Sequence, residues 1–289
     1  MNSDFLLETR LKNCDPLLHQ RVNASVFVLE KMLSSFLTRF PEFTDHSIIH
    51  SMDVLYFCNE IVGADQIEML TPAECYVIIM SCYLHDVGMG INDNDYVEFS
   101  RHIDFVDYFL THDKEEATNV VRAFHNEYSA MFIEKYGDLF DIPSEDYKRA
   151  IIQVAKGHRK TDLYDENDYP DLETKEGIIR TSYLAALLRL ADEIDVGSER
   201  NPELLFDTSK IKDEHQLVEF GKHESIRKIE LTDDAIVMHV KYKSPEYIPL
   251  IDELAAKIQN TLDYCCAVTE ARTDFRIRQT KVILKETDA

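Results

Sequence analysis

The sequence lacks tryptophan and is poor in turn-forming residues, with eight glycines and eight prolines among 289 residues. This scarcity favours long helices over an architecture of many short strands and turns. Basic residues are scarce as well, because 31 Lys and Arg stand against 54 Asp and Glu and leave a net charge of −23. A general nucleic-acid or anionic-membrane surface needs a basic footprint, so this balance argues against both partners.

Signals of export, membrane insertion and disulfide bonding are also absent. The six cysteines include no CxxC pair and mostly lie in apolar runs, which predicts reduced core residues. The N-terminus has no basic region of a leader, and no apolar run approaches the roughly 18 residues of a membrane span. We therefore expect an unexported, cytoplasmic protein.

The hydrophobic fraction of 45% is enough for a substantial core. The chain is near the upper length limit for a single core, which favours one large domain with an appendage. Apolar residues from Val22 to Phe40 recur at helical spacing, and the pattern stops at Pro41. We predict a mainly α fold with three parts: a helical extension over 1–40, a helical domain over 41–207 and an α+β subdomain over 208–289.

Local signals place several boundaries. Thr71-Pro72-Ala73-Glu74 predicts a helix start, with Thr71 as N-cap and Glu74 completing a capping box. The helix leads to His85-Asp86. The glycines and polar residues of the segment 88–95 predict a flexible loop by which the chain leaves the protein interior. Residues 161–176 predict a solvated acidic loop, with a lid over a pocket as the alternative.

The C-terminal part follows a different pattern. Alternation predicts strands over 226–231, 235–242 and 275–284, and helical spacing predicts a helix over 249–268. We expect this subdomain to be a structural platform or a dimer contact, so a homo-oligomer stays open.

The dipeptide His-Asp occurs twice. His112-Asp113 lies beside Thr111 and is interpreted as a helix cap. His85-Asp86 instead ends an apolar run, where burial of both side chains is costly unless something pairs with them. A metal ion is one candidate.

Polar residues interrupt the apolar faces of several predicted helices. A lone histidine there is more often a hydrogen-bonded core residue than a ligand, and Asp192 has Arg189 one turn away as an alternative partner. Several such positions together would need several complete hydrogen-bond networks, whereas one or two divalent ions would satisfy all of them. These inward-facing residues are His50, His85, Asp86, His125, His158 and Asp192.

At three segments the chain resembles the HD phosphohydrolase superfamily: His50-Ser51-Met52-Asp53-Val54, Leu84-His85-Asp86-Val87-Gly88, and the stretch from Leu187 to Asp195. Two-metal members add two histidines between the second and third segments, and His125 and His158 lie in segments that are similar to those elements. The resemblance covers roughly residues 40–200 and implies an HD-type helical bundle.

The resemblance implies a metal-dependent phosphohydrolase that uses a metal-activated water. Mixed imidazole and carboxylate ligands suit Mn, Fe, Ni, Co or Zn rather than Ca. Mg is also kept as a candidate, with one ion expected and a second left open. His46 is an alternative or additional ligand. The implied ligands are His50, His85, Asp86, His125, His158 and Asp192, and the implied catalytic residues are Asp86, His125, His158 and Arg159.

A small phosphorylated substrate such as a nucleotide needs local positive charge in an acidic protein. Lys156, Arg159 and Lys160 lie beside His158 and supply it, and the alternative is a solvated helix end. Met89 replaces the lysine of some cyclic-dinucleotide phosphodiesterases of the superfamily, and their GYP signature is absent.

Other functions stay open at this point. Phosphomonoesterase, phosphodiesterase and nucleotide triphosphohydrolase activities are not distinguished, and the acidic charge places a nuclease last. The main alternative is a non-catalytic HD-type module that binds a metal or nucleotide as a sensor or interaction partner. A purely structural helical protein is the third.

Overall fold

The computed structural model describes residues 5–33, 48–111, 117–159, 161–197 and 214–287. Several sequence expectations lie outside these residues. They are the end of the first long helix near Phe40, the alternative ligand His46, the cap at His112-Asp113, the cation Lys160 and the domain boundary at 207.

The protein is mainly helical. The helices are α1 (Leu6–Cys14), α2 (Pro16–Leu33), α3 (Ile48–Gln66), α4 (Pro72–Leu84), α5 (Asp93–Phe99), α6 (Val106–Thr111), α7 (Ala117–Tyr136), α8 (Glu145–Lys156), α9 (Thr181–Ile194), α10 (Glu214–Ser225) and α11 (Tyr247–Arg272). Short 3-10 turns cover Ile67–Met69, Val87–Gly90 and Gly137–Phe140.

Helix α4 is the centre of the bundle. Every residue from Ala73 to Leu84 is buried, as expected for a helix that is apolar on all sides. It packs against α1, α2, α3, α8 and α9. The His85-Asp86 dipeptide therefore emerges from the most enclosed element of the fold.

The start of α4 confirms the predicted capping box. The Thr71 hydroxyl accepts from the Glu74 backbone N–H at 3.1 Å, and Glu74 Oε2 accepts from the Thr71 N–H at 2.9 Å. Glu74 is fully buried and also binds Arg180, whose Nε and Nη2 atoms each lie 2.6 Å from a carboxylate oxygen. This ion pair ties α4 to the strand that precedes α9.

Two small sheets accompany the bundle. Strands β1 (Asp171–Thr174) and β2 (Gly177–Arg180) form an antiparallel pair. Strands β3 (Ile226–Leu231), β4 (Ala235–Val240) and β5 (Lys281–Glu286) form the C-terminal sheet, antiparallel between β3 and β4 and parallel between β4 and β5. Helix α11 packs on both β5 and α9.

The fold class is confirmed as a mainly helical bundle with a small C-terminal α+β part, while the domain limits stay predictions. In the C-terminal part, β3 begins and ends as predicted, α11 is longer than predicted and β5 begins later, at Lys281. Helix α10 was not predicted.

Two expected loops are wrong in part. In the segment 88–95, Asn92 caps helix α5, which already begins at Asp93, and Gly88 is buried rather than at a flexible exit. The acidic loop expected over 161–176 ends in strand β1, and its Leu163 and Tyr169 are buried. Because these side chains are buried, the segment is fixed to the protein body.

All six cysteines are free thiols. None of the helices in the described parts of the chain combines the length and the apolar character that a membrane span requires.

Candidate metal centre

Six side chains from five parts of the bundle meet at one place. His50 lies in the first turn of α3, His85 and Asp86 follow α4, and His125 lies on α7. His158 follows the end of α8, and Asp192 lies in the last turn of α9. The sequence predicted these six as ligands, and the structure brings all of them together as two groups of three.

The first group consists of His50, His85 and Asp192. The Nε2 atoms of His50 and His85 are 3.2 Å apart. Asp192 Oδ1 lies 3.3 Å from His50 Nε2 and 3.6 Å from His85 Nε2. These three potential ligand atoms are therefore close enough to bind one metal ion between them.

The second group consists of Asp86, His125 and His158. The two Nε2 atoms are 2.7 Å apart. Asp86 Oδ1 lies 3.2 Å from His125 Nε2 and 3.6 Å from His158 Nε2.

Asp86 connects the two groups. While its Oδ1 faces the second group, its Oδ2 lies 3.4 Å from His50 Nε2 and 3.5 Å from His85 Nε2 in the first. The carboxylate thus presents one oxygen to each group, which is the arrangement of a carboxylate shared between two ion sites.

The second ring nitrogen of each histidine fixes its tautomer. His85 Nδ1 lies 2.9 Å from the Cys82 carbonyl, His125 Nδ1 2.6 Å from that of Arg122 and His158 Nδ1 2.5 Å from that of Ala155. Carbonyl oxygens only accept, so each Nδ1 carries the proton. In the neutral rings, every Nε2 therefore directs a lone pair into the site.

These lone pairs provide a test of whether a cation fits. The Nε2 atoms of His125 and His158 are 2.7 Å apart, so their lone pairs repel each other when both rings are neutral. Only a proton or a metal ion between the two atoms removes that repulsion. Neutral imidazole nitrogens held by carbonyl partners, together with carboxylates, form a ligand set for divalent transition metals. The residues present therefore fit a metal centre.

Burial and charge act in opposite directions on the site residues. Burial lowers the pKa of His85, but the negative charges of Asp86 and Asp192 outweigh it and hold the pKa above its ordinary value. Burial, with the neighbouring His125 and His85, lowers the pKa of His158 well below its ordinary value. Burial raises the pKa of Asp192, but the neighbouring His50 and His85 outweigh it and keep the pKa well below the usual range.

The site is closed on most sides. The four histidines and Asp86 are buried, whereas the Asp192 side chain retains 23% of its exposure. Solvent therefore reaches the ligand cluster on the side of Asp192.

Gly88 sets the distance between the His85-Asp86 segment and α7. A Cβ atom there would lie 2.5 Å from the His125 carbonyl oxygen and would also clash with Ser129. The Gly88 N–H donates to the Ser129 hydroxyl at 2.9 Å. The glycine thus permits the close backbone approach that places Asp86 beside His125.

Asp195 is a site residue that sequence reasoning did not assign. It is buried at the end of α9, and its Oδ2 lies 2.6 Å from His50 Nδ1. Its position three residues after Asp192, on the same helical face, was the available signal. Arg189, considered as a partner of Asp192, instead donates to the carbonyls of Gly157 and Thr161.

The predicted phosphate contacts lie at the end of α8. Arg159 is exposed, and Lys156 Nζ forms an ion pair with Glu127 Oε2 at 2.9 Å. Lys160 lies outside the described residues. Of the two described cations, Lys156 is therefore paired with a carboxylate, and Arg159 is the one whose charge is available for a phosphate.

Comparison with known proteins gives one family match. The HD-CE family model, which describes an HD-type domain, matches residues 40–273. No curated protein and no solved structure matches the chain. The matched range includes all six ligand candidates and extends through the C-terminal helix α11.

Proposed function

Since the chain belongs to the HD-CE family, we propose that it is a metal-dependent phosphohydrolase that acts on a nucleotide or a related small phosphoester. The observation that carries this proposal is the pair of ligand groups joined by Asp86. A single structural metal would not need six ligand side chains around a shared carboxylate, whereas phosphoester hydrolysis commonly uses two neighbouring ions.

In this proposal, His50, His85 and Asp192 would hold one ion, and Asp86, His125 and His158 would hold the other. Such ions would supply Lewis acidity toward a phosphoryl oxygen and lower the pKa of a bound water. The imidazole and carboxylate ligands suit Mn, Fe, Ni, Co or Zn, and Mg is kept as a further candidate.

The chain's own residues orient this chemistry. Each histidine donates its Nδ1 proton to a fixed acceptor, so the rings cannot rotate away from the centre. The low pKa of His158 keeps its Nε2 free of a competing proton near neutral pH. Because carbonyl oxygens hold the Nδ1 atoms of His125 and His158, we assign both residues as ligands through Nε2 rather than as proton donors to a leaving group.

Substrate binding requires a cation close to the ligand cluster. Arg159 directly follows His158, and its planar guanidinium suits two phosphate oxygens at once. Lys160 follows Arg159 in the sequence, whereas the charge of Lys156 is paired with Glu127. An acidic chain with so local a basic segment favours a small anion over a polymeric nucleic acid.

The test is metal analysis of the purified protein, followed by a screen for phosphate and pyrophosphate release across a nucleotide panel. The wild type should retain a divalent metal and hydrolyse at least one nucleotide, and His85→Ala should abolish turnover. The matched control is His102→Ala, because His102 is exposed and lies outside both ligand groups.

Three outcomes would contradict the proposal in different ways. Protein without metal, with hydrolysis unchanged in His85→Ala, would remove the metal centre. Metal-loaded protein that binds a nucleotide without turnover would favour the non-catalytic sensor module. Salt-sensitive, submicromolar binding of single-stranded DNA would favour a nuclease activity over hydrolysis of a small phosphoester.

A further inference from the structure

Arg189 is buried at 8% exposure although it carries a permanent charge. Its Nε donates to the Gly157 carbonyl at 2.8 Å. Its Nη2 donates to the Thr161 carbonyl at 2.9 Å and lies 3.0 Å from the Thr161 hydroxyl. One guanidinium therefore fixes the backbone on both sides of His158.

The Gly157 carbonyl belongs to the peptide bond that enters His158. A hydrogen bond to this oxygen sets the orientation of that peptide plane. The plane in turn sets the position of the His158 Cα and Cβ atoms, from which the imidazole extends. Gly157 itself lies against α9, since a Cβ there would come within 2.6 Å of the Ala185 side chain. Arg189 and this close contact together hold the end of α8 against α9.

Arg189 is in turn covered by the C-terminal helix. The Tyr264 ring of α11 lies over the guanidinium, with 5.0 Å from Arg189 Cζ to the ring centroid. The Tyr264 hydroxyl accepts from the Leu163 N–H at 2.8 Å. Arg272, also on α11, donates to the Tyr164 and Tyr169 carbonyls at 3.1 and 2.8 Å.

These contacts form a continuous path from α11 to the ligand cluster. Helix α11 fixes Tyr264, Tyr264 covers Arg189, and Arg189 orients the peptide bond of His158. A buried charge with this many directed hydrogen bonds has few alternative positions.

We propose that Arg189 is a positioning residue for His158, and that Tyr264 of the C-terminal subdomain holds Arg189 in place. The subdomain then acts on the metal centre, beyond the platform role expected from its sequence. This inference rests on the proposed metal centre and assigns a positioning residue to one half of it.

The test is a double-mutant cycle that measures Co²⁺ affinity by titration. Arg189→Lys keeps the positive charge but cannot bind both carbonyls with a planar fork. Loss of a group that orients a metal ligand costs about tenfold to a hundredfold in affinity. We expect Arg189→Lys to lower the Co²⁺ affinity in this way when it is introduced into the wild type and into His50→Ala. When it is introduced into His158→Ala, we expect no further loss of affinity.

The background dependence separates positioning from general stability. A merely structural role would weaken Co²⁺ binding equally in all three backgrounds. In the wild-type background, the Co²⁺ absorption bands should also change in Arg189→Lys, because a displaced imidazole alters the ligand field. Thermal unfolding of the metal-free variants reports folding separately.

Tyr264→Leu keeps Arg189 and removes the ring over it, so it tests the same path if Arg189→Lys does not fold. It should weaken Co²⁺ binding with the same dependence on His158. Lys257→Met is the matched control, because Lys257 also joins α11 to α9, through Glu193 at 2.7 Å, without reaching His158. Its Co²⁺ affinity should be unchanged.

The outcomes distinguish this inference from the proposed function. Wild-type protein that binds no Co²⁺ would overturn the metal centre and the inference with it. Normal Co²⁺ binding by the wild type, with no loss in Arg189→Lys and Tyr264→Leu, or with a loss that persists in His158→Ala, would overturn the inference alone.

Discussion

Asp195 Oδ2 lies 2.6 Å from His50 Nδ1, and both side chains are buried. The carboxylate fixes the tautomer of His50 and directs its Nε2 toward His85 and Asp192. A carboxylate in this position also raises the basicity of a ligating imidazole.

Asp195→Asn should therefore weaken metal binding by about tenfold to a hundredfold. The neutral amide retains the shape of the side chain but not the charge that supports His50. Isothermal titration with the divalent metal measures the change. Asp263→Asn, at an exposed position of α11, is the control, and equal affinities in the two variants would contradict the assigned role.

Gly88→Ala should destabilise the protein by about 1–3 kcal/mol, because the new methyl group overpacks the contact between the His85-Asp86 segment and α7. It should lower metal affinity as well, since Asp86 and His125 would move apart. Gly90→Ala is a close control, because a Cβ at that position meets nothing within 4 Å. Urea unfolding compares the two, and similar free energies of unfolding would show that the close approach is not needed.

Metal removal should lower thermal stability. If the metal binds only the folded state, a concentration about 100 times its Kd adds about 2.7 kcal/mol to the free energy of unfolding. Scanning calorimetry with and without chelator should show a lower Tm in the chelated wild type. His102→Ala should respond as the wild type does, whereas a full response in Asp192→Ala would argue that the metal binds elsewhere.

Arg180→Met should cost about 3–5 kcal/mol, because Glu74 would remain buried and charged without its cation. Lys281→Gln removes one partner of an ion pair with Asp234 in which both side chains are more than half exposed, and it should change the free energy of unfolding by about 0–1 kcal/mol. Denaturant titration of both variants measures the difference. Comparable losses would contradict the dependence on burial.

Arg159→Ala should raise KM for the phosphorylated substrate by about tenfold or more and change kcat less, since a charge-assisted hydrogen bond contributes about 1.5–3 kcal/mol. Arg149→Ala removes another exposed arginine, which lies within α8 and away from the end of the helix that Arg159 follows. Steady-state kinetics should leave the control unchanged. An unchanged KM in Arg159→Ala would support the interpretation of this segment as a solvated helix end.

Local interactions made part of this structure predictable from the sequence. The capping box at Thr71 and Glu74 involves atoms three residues apart, so the sequence alone specifies it. Strand β3 has the predicted bounds, although a register shift between Ile226 and Lys228 interrupts the alternation of its side chains. The six ligand candidates were recognisable as polar residues on apolar helices.

Other features depend on segments that are distant in the sequence. Glycine commonly marks flexible chain, but Gly88 is held where α7 approaches the backbone. Strand β1 has only Leu172 as an apolar residue and gives no alternating pattern, so its pairing with β2 was not predictable from its own residues.

The sequence by itself determined which residue types are available to bind a metal and which helices carry them. Only the tertiary structure decided their grouping, with Asp86 shared between two sets of three and Asp195 behind His50. The distances within those sets are set by how α3, α4, α7, α8 and α9 pack. Contacts between segments more than a hundred residues apart, such as Arg180 with Glu74, fix that packing, and no local pattern encodes it.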